Sequence, residues 1–172
     1  MNYASLKKTD VANGPGIRVS LFVSGCTHAC KGCFNAVAWD FQYGQPFTDK
    51  TMKEILDALA PEYIRGFSVL GGEPMEPQNT DTVLEIIRKV KQSYPQKDVW
   101  CYTGYEYEKD LLAREAAGDR NMTELLELID VLVDGEFIEE KKNLRLAFRG
   151  SENQRLIDLK KTRLAGQVVC LE

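Results

Sequence analysis

The chain has one histidine, His28, in 172 residues. No second Cys-x2-Cys pair and no His-x3-His pair stands elsewhere, so a zinc site split over two half-sites is not available. Long apolar runs are also missing: no stretch approaches the ~20 residues that cross a bilayer. The start lacks the charged, apolar, then small pattern of a secretory leader. No membrane association and a cytoplasmic location are therefore expected. Positive charge is not in excess. Lys and Arg number 22 against 26 Asp and Glu, which removes the basic footprint of a nucleic-acid binder. Repeats, low-complexity tracts and Gly/Ser- or Pro-rich linkers are absent, so residues 1–172 read as a single domain. An apolar content of 44% is ordinary for a soluble domain long enough to bury one core. Cysteine is scarce and odd in number, five in all, which argues against a disulfide framework.

Three of those five lie in the run Cys26-Thr-His-Ala-Cys30-Lys-Gly-Cys33. Cluster irons normally take four thiolates. Three thiolates on one tight loop hold a [4Fe-4S] cluster at three corners and leave the fourth iron open, while Cys101 and Cys170 are distant and have no partner spacing. The loop points to a reactive cluster rather than an electron wire. The competing reading is a zinc site that adds His28 to the three thiolates, but four ligands within eight residues would be an unusual structural zinc centre.

Apolar periodicity gives the organisation. Val19–Val23 reads as a buried strand that runs into the cysteine loop. Thr48 is a predicted N-cap for a helix carrying Met52, Ile55, Leu56 and Leu59, ended by Pro61. Phe67–Leu70 predicts a second strand broken by Gly71-Gly72, then a helix with Val83, Leu84, Ile86, Ile87 and Val90. Val99–Tyr102 is a third strand, Leu111 and Leu112 lie in a charged helical segment, and Thr123 is the expected cap of a helix bearing Leu125, Leu126, Leu128 and Ile129. Val131–Val133 is the fourth strand. Alternating strands and helices imply parallel pairing with crossovers, and the chain is too short for the ~250 residues of a complete eight-unit barrel. The expected fold class is α/β, an incomplete, open-sided (β/α) barrel. Chemistry in such folds collects at the carboxyl ends of the strands. Cys26, Gly71-Gly72-Glu73-Pro74, Thr103-Gly104-Tyr105 and Asp134-Gly135-Glu136 all follow strands there.

The C-x3-C-x2-C spacing resembles the signature of radical S-adenosylmethionine enzymes. Asn13-Gly-Pro-Gly-Ile-Arg18, Val23-Ser-Gly-Cys26, Gly71-Gly-Glu-Pro74 and Arg149-Gly-Ser-Glu-Asn-Gln-Arg155 together resemble the activating proteins of anaerobic ribonucleotide reductase, a branch of the glycyl-radical activases. The resemblance runs from Asn2 to about Leu159. It implies a radical S-adenosylmethionine barrel, a cluster on Cys26, Cys30 and Cys33, and cleavage of S-adenosylmethionine to methionine and a 5′-deoxyadenosyl radical. It also implies a partner, the large reductase subunit with its glycyl-radical site, and a flavodoxin-like or other low-potential electron donor. Gly32, Cys33 and Phe34 lie where the family contacts the cofactor, with Phe34 facing the adenine. Gly71 and Gly72 match the segment that meets the methionyl end, and Glu73 is a further candidate contact. Gly72 is expected to serve the cofactor separately from the cluster. No catalytic side chain is expected beyond the cluster and the cofactor.

Other residues stay unassigned. His28 is read as hydrogen-bonding or partner-facing, because hydrogen-atom abstraction needs no general base. Arg18 has no assigned role. Asp134 resembles a family aspartate, but related pyruvate formate-lyase activases continue with Leu-Lys where this chain has Gly135-Glu136, so a lysine contact is not carried over. Lys141 to Arg163 holds eight basic residues against Glu152 and Asp158, either a solvated surface or a face for an anionic cofactor or for partner docking, the last including Lys160 and Lys161. Alternatives to reductase activation are activation of another glycyl-radical enzyme, or a non-enzymatic zinc or iron–sulfur module.

Overall fold

The computed structural model describes residues 1–171. Strands β1 (Asn2–Asp10) and β2 (Ile17–Val23) pair antiparallel, and a short β3 (Gln45–Pro46) is added outside β1. There follow α1 (Asp49–Leu59), β4 (Ile64–Gly71), α2 (Thr80–Ser93), β5 (Asp98–Tyr102), α3 (Leu112–Ala116), α4 (Arg120–Leu128), β6 (Val131–Asp134), β7 (Arg155–Asp158) and α5 (Leu159–Ala165). One sheet takes all seven strands in the order β3-β1-β2-β4-β5-β6-β7. β2, β4, β5 and β6 are mutually parallel, as expected, and β7 runs antiparallel to β6. The antiparallel flanks correct the all-parallel expectation. Residues 11–16, and the 135–154 segment with only a 3-10 turn at Glu139–Lys141, supply no crossover helix, so the chain reverses at both places.

Each helix forms for a local reason. Thr48 caps α1 reciprocally with Thr51, a capping box, and Ile55 and Leu59 are buried on its inner face. α4 begins four residues earlier than expected: Asp119 is the cap, accepting from the Met122 N–H at 3.0 Å, and the Thr123 hydroxyl donates back to the Asp119 carbonyl. The Leu111–Leu112 segment is a π-helical turn, Tyr107–Leu111, running into α3.

The two faces of the sheet differ. Val19, Leu21 and Val23 of β2, Phe67 and Val69 of β4, Val99 and Cys101 of β5 and Leu132 of β6 pack with residues of α1, α2 and α4 in the main core. Burying each Val, Leu, Ile or Phe there contributes ~1.5–3 kcal/mol. The other face carries Arg18, Ser20, Ser68, Leu70, Trp100, Tyr102 and Val133. Arg18 sits inside the sheet and is 0% exposed, not at an edge. Its guanidinium donates to the Ser68 hydroxyl and the Phe67 carbonyl, pairs with Asp98 at 2.6 Å, and lies over the Trp100 ring. Helices thus cover one face, while the other, with Leu70, Tyr102 and Val133, looks into a cavity. Among the described residues, no helix is long and apolar enough to cross a membrane.

Candidate functional site

Parallel pairing puts Val23 beside Gly71, Val69 beside Cys101, and Tyr102 beside Val133, so the four strands end at one edge. A cavity of about 490 Å³ opens there. Cys26, Cys30 and Cys33 all line it, and so do Gly32, Phe34, Gly71, Gly72 and Glu73. Residues separated by up to 47 positions meet where the parallel strands end. Cys101 is buried in the core and Cys170 lies exposed elsewhere, both outside the cavity lining.

The cysteine loop is fastened mainly by the segment after β4. Gly25 N–H donates to the Ala38 carbonyl at 2.7 Å, and Cys26 N–H to that of Trp39. Gly72 N–H donates to Val23 and Glu73 N–H to Gly25, which ties the base of the loop to the end of β4. Three side chains of the same segment then reach the loop. Glu76 accepts from the backbone and hydroxyl of Thr27 at 2.7 and 2.6 Å. The Asn79 amide donates to the Ser24 carbonyl. Glu73 holds His28 at 2.9 Å. Hydropathy gave no sign of Glu76 and Asn79, since buried polar groups resemble surface ones in a sequence; their only signal is the density of polar residues between a strand end and a helix start.

His28 bridges three strand ends. Its Nε2 donates to Glu73 and its Nδ1 to Glu136, each at 2.9 Å, and its ring meets Tyr105 edge-on at 4.5 Å between centroids. A Cβ on Gly104 would lie 2.7 Å from that ring, so only glycine lets the chain after β5 pass beneath it. The hydrogen bond to Glu73 is the largest influence on the imidazole; with Glu136 it outweighs burial and raises the pKa to about 9, so both ring N–H groups donate at neutral pH. This bears out hydrogen bonding as the role of His28. Glu73, only 1% exposed, also accepts from the N–H groups of Met75 and Gly104. Its oxygens therefore already hold three donors. Through these bonds its carboxylate positions the loop.

Gly72 has a packing role of its own. A Cβ there would lie 2.6 Å from the Gly25 carbonyl oxygen and 2.8 Å from that of Ala38. The missing side chain lets the strand end seat against the root of the cysteine loop. Phe34 stands at the rim, 82% exposed. Asp134 is buried and receives Arg155 and the Tyr107 N–H, a structural use of the carboxylate.

The donor set suits an iron–sulfur cluster. Three thiols of one loop line a single cavity, as ligation of a cluster at three corners requires. A zinc site needs four such ligands about a single point. Burial pushes the Cys26 thiol up to about 11 and also raises Cys30, so each is a neutral thiol by itself; iron ligation would displace those protons.

Of the eight basic residues between Lys141 and Arg163, four are paired: Arg155 with Asp134 and Glu108, Lys160 with Asp130, Lys161 with Asp158 and Arg163 with Glu115. Lys141, Lys142, Arg145 and Arg149 have no carboxylate partner among the described residues, and Lys142 and Arg149 line the cavity.

Comparison with known proteins agrees with this geometry. A family model described as a 4Fe-4S single cluster domain matches residues 12–157. An anaerobic ribonucleoside-triphosphate reductase-activating protein of Enterobacteria phage T4 is 41% identical over 158 residues, spanning 91% of this chain and 93% of the relative. Proteins of the same name from Haemophilus influenzae and Escherichia coli strain K12 are 42% and 39% identical over 156 residues, each match spanning 90% of this chain and 96% of the relative. A cysteine loop at the mouth of a four-strand edge, a single-cluster domain over most of the chain and these relatives agree: the chain belongs to the family of anaerobic ribonucleoside-triphosphate reductase-activating proteins.

Proposed function

We propose that this protein activates an anaerobic ribonucleoside-triphosphate reductase by generating a glycyl radical on its large subunit, and that residues 1–172 form one radical S-adenosylmethionine domain. The observation that carries the reading is the convergence of Cys26, Cys30 and Cys33 with Gly71 and Gly72 on one cavity. When bound, a cluster with one open iron supplies the single electron that splits S-adenosylmethionine into methionine and a 5′-deoxyadenosyl radical, which takes a hydrogen atom from a backbone glycine. A flavodoxin-like or other low-potential donor replaces that electron.

The side chains bind and orient. Cys26, Cys30 and Cys33 hold three irons. Main-chain groups at Gly71 and Gly72 face the methionyl end, Gly32 leaves room beside the loop, and the exposed ring of Phe34 offers its face to the adenine. Glu73 acts indirectly through His28 and Gly104. An incomplete barrel accords with helices on one face of the sheet, a cavity on the other and antiparallel strands at both flanks. Such an opening suits a peptide segment of a large partner. The unpaired cations Lys142 and Arg145, beside Leu144 at 89% exposure, mark the docking rim; Lys160 and Lys161, already paired, do not.

The test is anaerobic reconstitution with iron and sulfide, then reductant, S-adenosylmethionine and the reductase. A glycine-centred radical by electron paramagnetic resonance, with release of methionine and 5′-deoxyadenosine, is expected. A fully loaded protein that gives neither product nor radical overturns the reading.

A further inference from the structure

The Arg149-to-Arg155 motif has no role in the site as described, yet its side chains make an ordered set of contacts. The β6–β7 ladder ends at the pair Asp134–Arg155. Beyond it the chain separates, and side chains replace the backbone. Arg155 binds Asp134 through Nε at 3.0 Å, the Gln154 amide donates to the Gly135 carbonyl at 2.9 Å, and the Asn153 amide donates to the Glu136 carbonyl at 2.8 Å. Three consecutive residues thus hold three consecutive residues. Gln154 is itself held, because its carbonyl oxygen accepts from the N–H groups of Gly150 and Ser151. The Ser151 hydroxyl accepts from Ile138 N–H, which anchors the far side of the same loop.

What this zipper presents is Glu136, whose carboxylate receives His28 Nδ1. His28 lies inside the cysteine loop, and the next residue, Ala29, has φ +52°. A non-glycine residue in that left-handed region costs ~1–2 kcal/mol, so the loop does not keep this shape by local preference. It must be held from outside. Glu76 and Glu73 hold it from the β4 side; from the β6 side Glu136 holds His28, and Glu139 and Glu140 pair with the exposed Lys31 nearer the far end of the loop.

We infer that Asn153, Gln154 and Arg155 are positioning residues which fix Glu136 beneath His28 and thereby set the conformation of the Cys26–Cys33 loop. The tail motif is a brace for the cysteine loop, about 120 residues upstream in the chain. This rests on the reading of that loop as the cluster's ligand set.

The test uses the full chain, cluster-loaded and anaerobic, with two readouts: amide hydrogen exchange of residues 26–33, and the resonance spectrum of the reduced cluster. Glu136 is 53% exposed on its side chain, so Glu136→Ala leaves no core cavity. That variant and Asn153→Ala should each speed loop exchange about three- to tenfold, the effect of losing one partly screened charge-assisted hydrogen bond, and shift the spectrum. Glu136→Gln, which keeps an acceptor, should restore most of both. Glu152→Ala should change neither, because Glu152 contacts Asn143 and not the β6 loop. In a His28→Phe background, Glu136→Ala should add nothing. Unchanged exchange and spectrum in Glu136→Ala, or an undiminished effect after His28 is replaced, overturns the inference. If the unmodified chain takes up no cluster, the functional reading fails instead, and exchange in the cluster-free chain still decides whether the brace exists.

Discussion

Substituting Gly72 by alanine tests how the strand end and the cysteine loop are joined. Gly72 is not in the left-handed region, so alanine meets no backbone penalty and the cost is steric. The new methyl would lie 2.6 Å from the Gly25 oxygen and 2.8 Å from the Ala38 oxygen, both main-chain atoms that cannot rotate aside. Overpacking of this kind costs ~1–3 kcal/mol. Each oxygen also accepts a bond in the joint, from Glu73 N–H at 2.8 Å and Gly25 N–H at 2.7 Å, and weakening one of these adds ~0.5–1.5 kcal/mol. Restricting the unfolded chain returns ~0.4–1 kcal/mol. The net loss is about 1–3 kcal/mol, or about 2–12 °C in Tm for a chain of this size. Because Gly25 precedes Cys26, cluster loading should fall too. Thermal unfolding of the iron-free protein and the iron-to-protein ratio after reconstitution measure both effects. An alanine variant with unchanged Tm and full iron would show that the close approach is not what requires glycine.

Replacing Cys26, Cys30 or Cys33 by serine should each abolish stable cluster binding, whereas Cys101→Ala and Cys170→Ser should keep it, as read from iron content and visible absorbance. Charge reversal at Lys142 and Arg145 should slow reductase activation at low salt and lose that effect as salt rises, while reversal at Lys160 and Lys161 should leave activation unchanged; rates against ionic strength distinguish the two surfaces. Asp130 links the acid side of the stability curve to the fold. Burial raises its pKa, but Lys91, Lys160 and the Val99 N–H together lower it below the ordinary value of 3.8, so its stabilisation is complete above that value and is lost as pH falls through the folded-state pKa. Asp130→Asn should therefore unfold more easily than the unmodified chain at pH 6, with the gap closing below about pH 4, by urea titration across pH.

The features determined by the sequence itself are those written in local spacing. Three thiols in eight residues define a cluster loop wherever the loop is placed, and the apolar periods of α1, α2 and the central strands follow from the requirement that each element bury one face or two. The parallel order carried the glycine and cysteine motifs to one edge, so the location of the site was legible as well. Other features depend on neighbours distant in the chain. β1 was missed because it fully buries only Asp10, so it has little apolar pattern, and β7 because it offers only Leu156 and Ile157 to burial. Arg18 reads as a surface cation until the sheet surrounds it with Asp98 and Ser68. Lys160 reads as part of a free basic patch until folding brings Asp130 within 2.9 Å of it. The same holds for Glu73, Glu76 and Glu136. A carboxylate's partner is set by direction and distance in space, and one that will be buried against a histidine or a backbone N–H has the same letter as one that will face water.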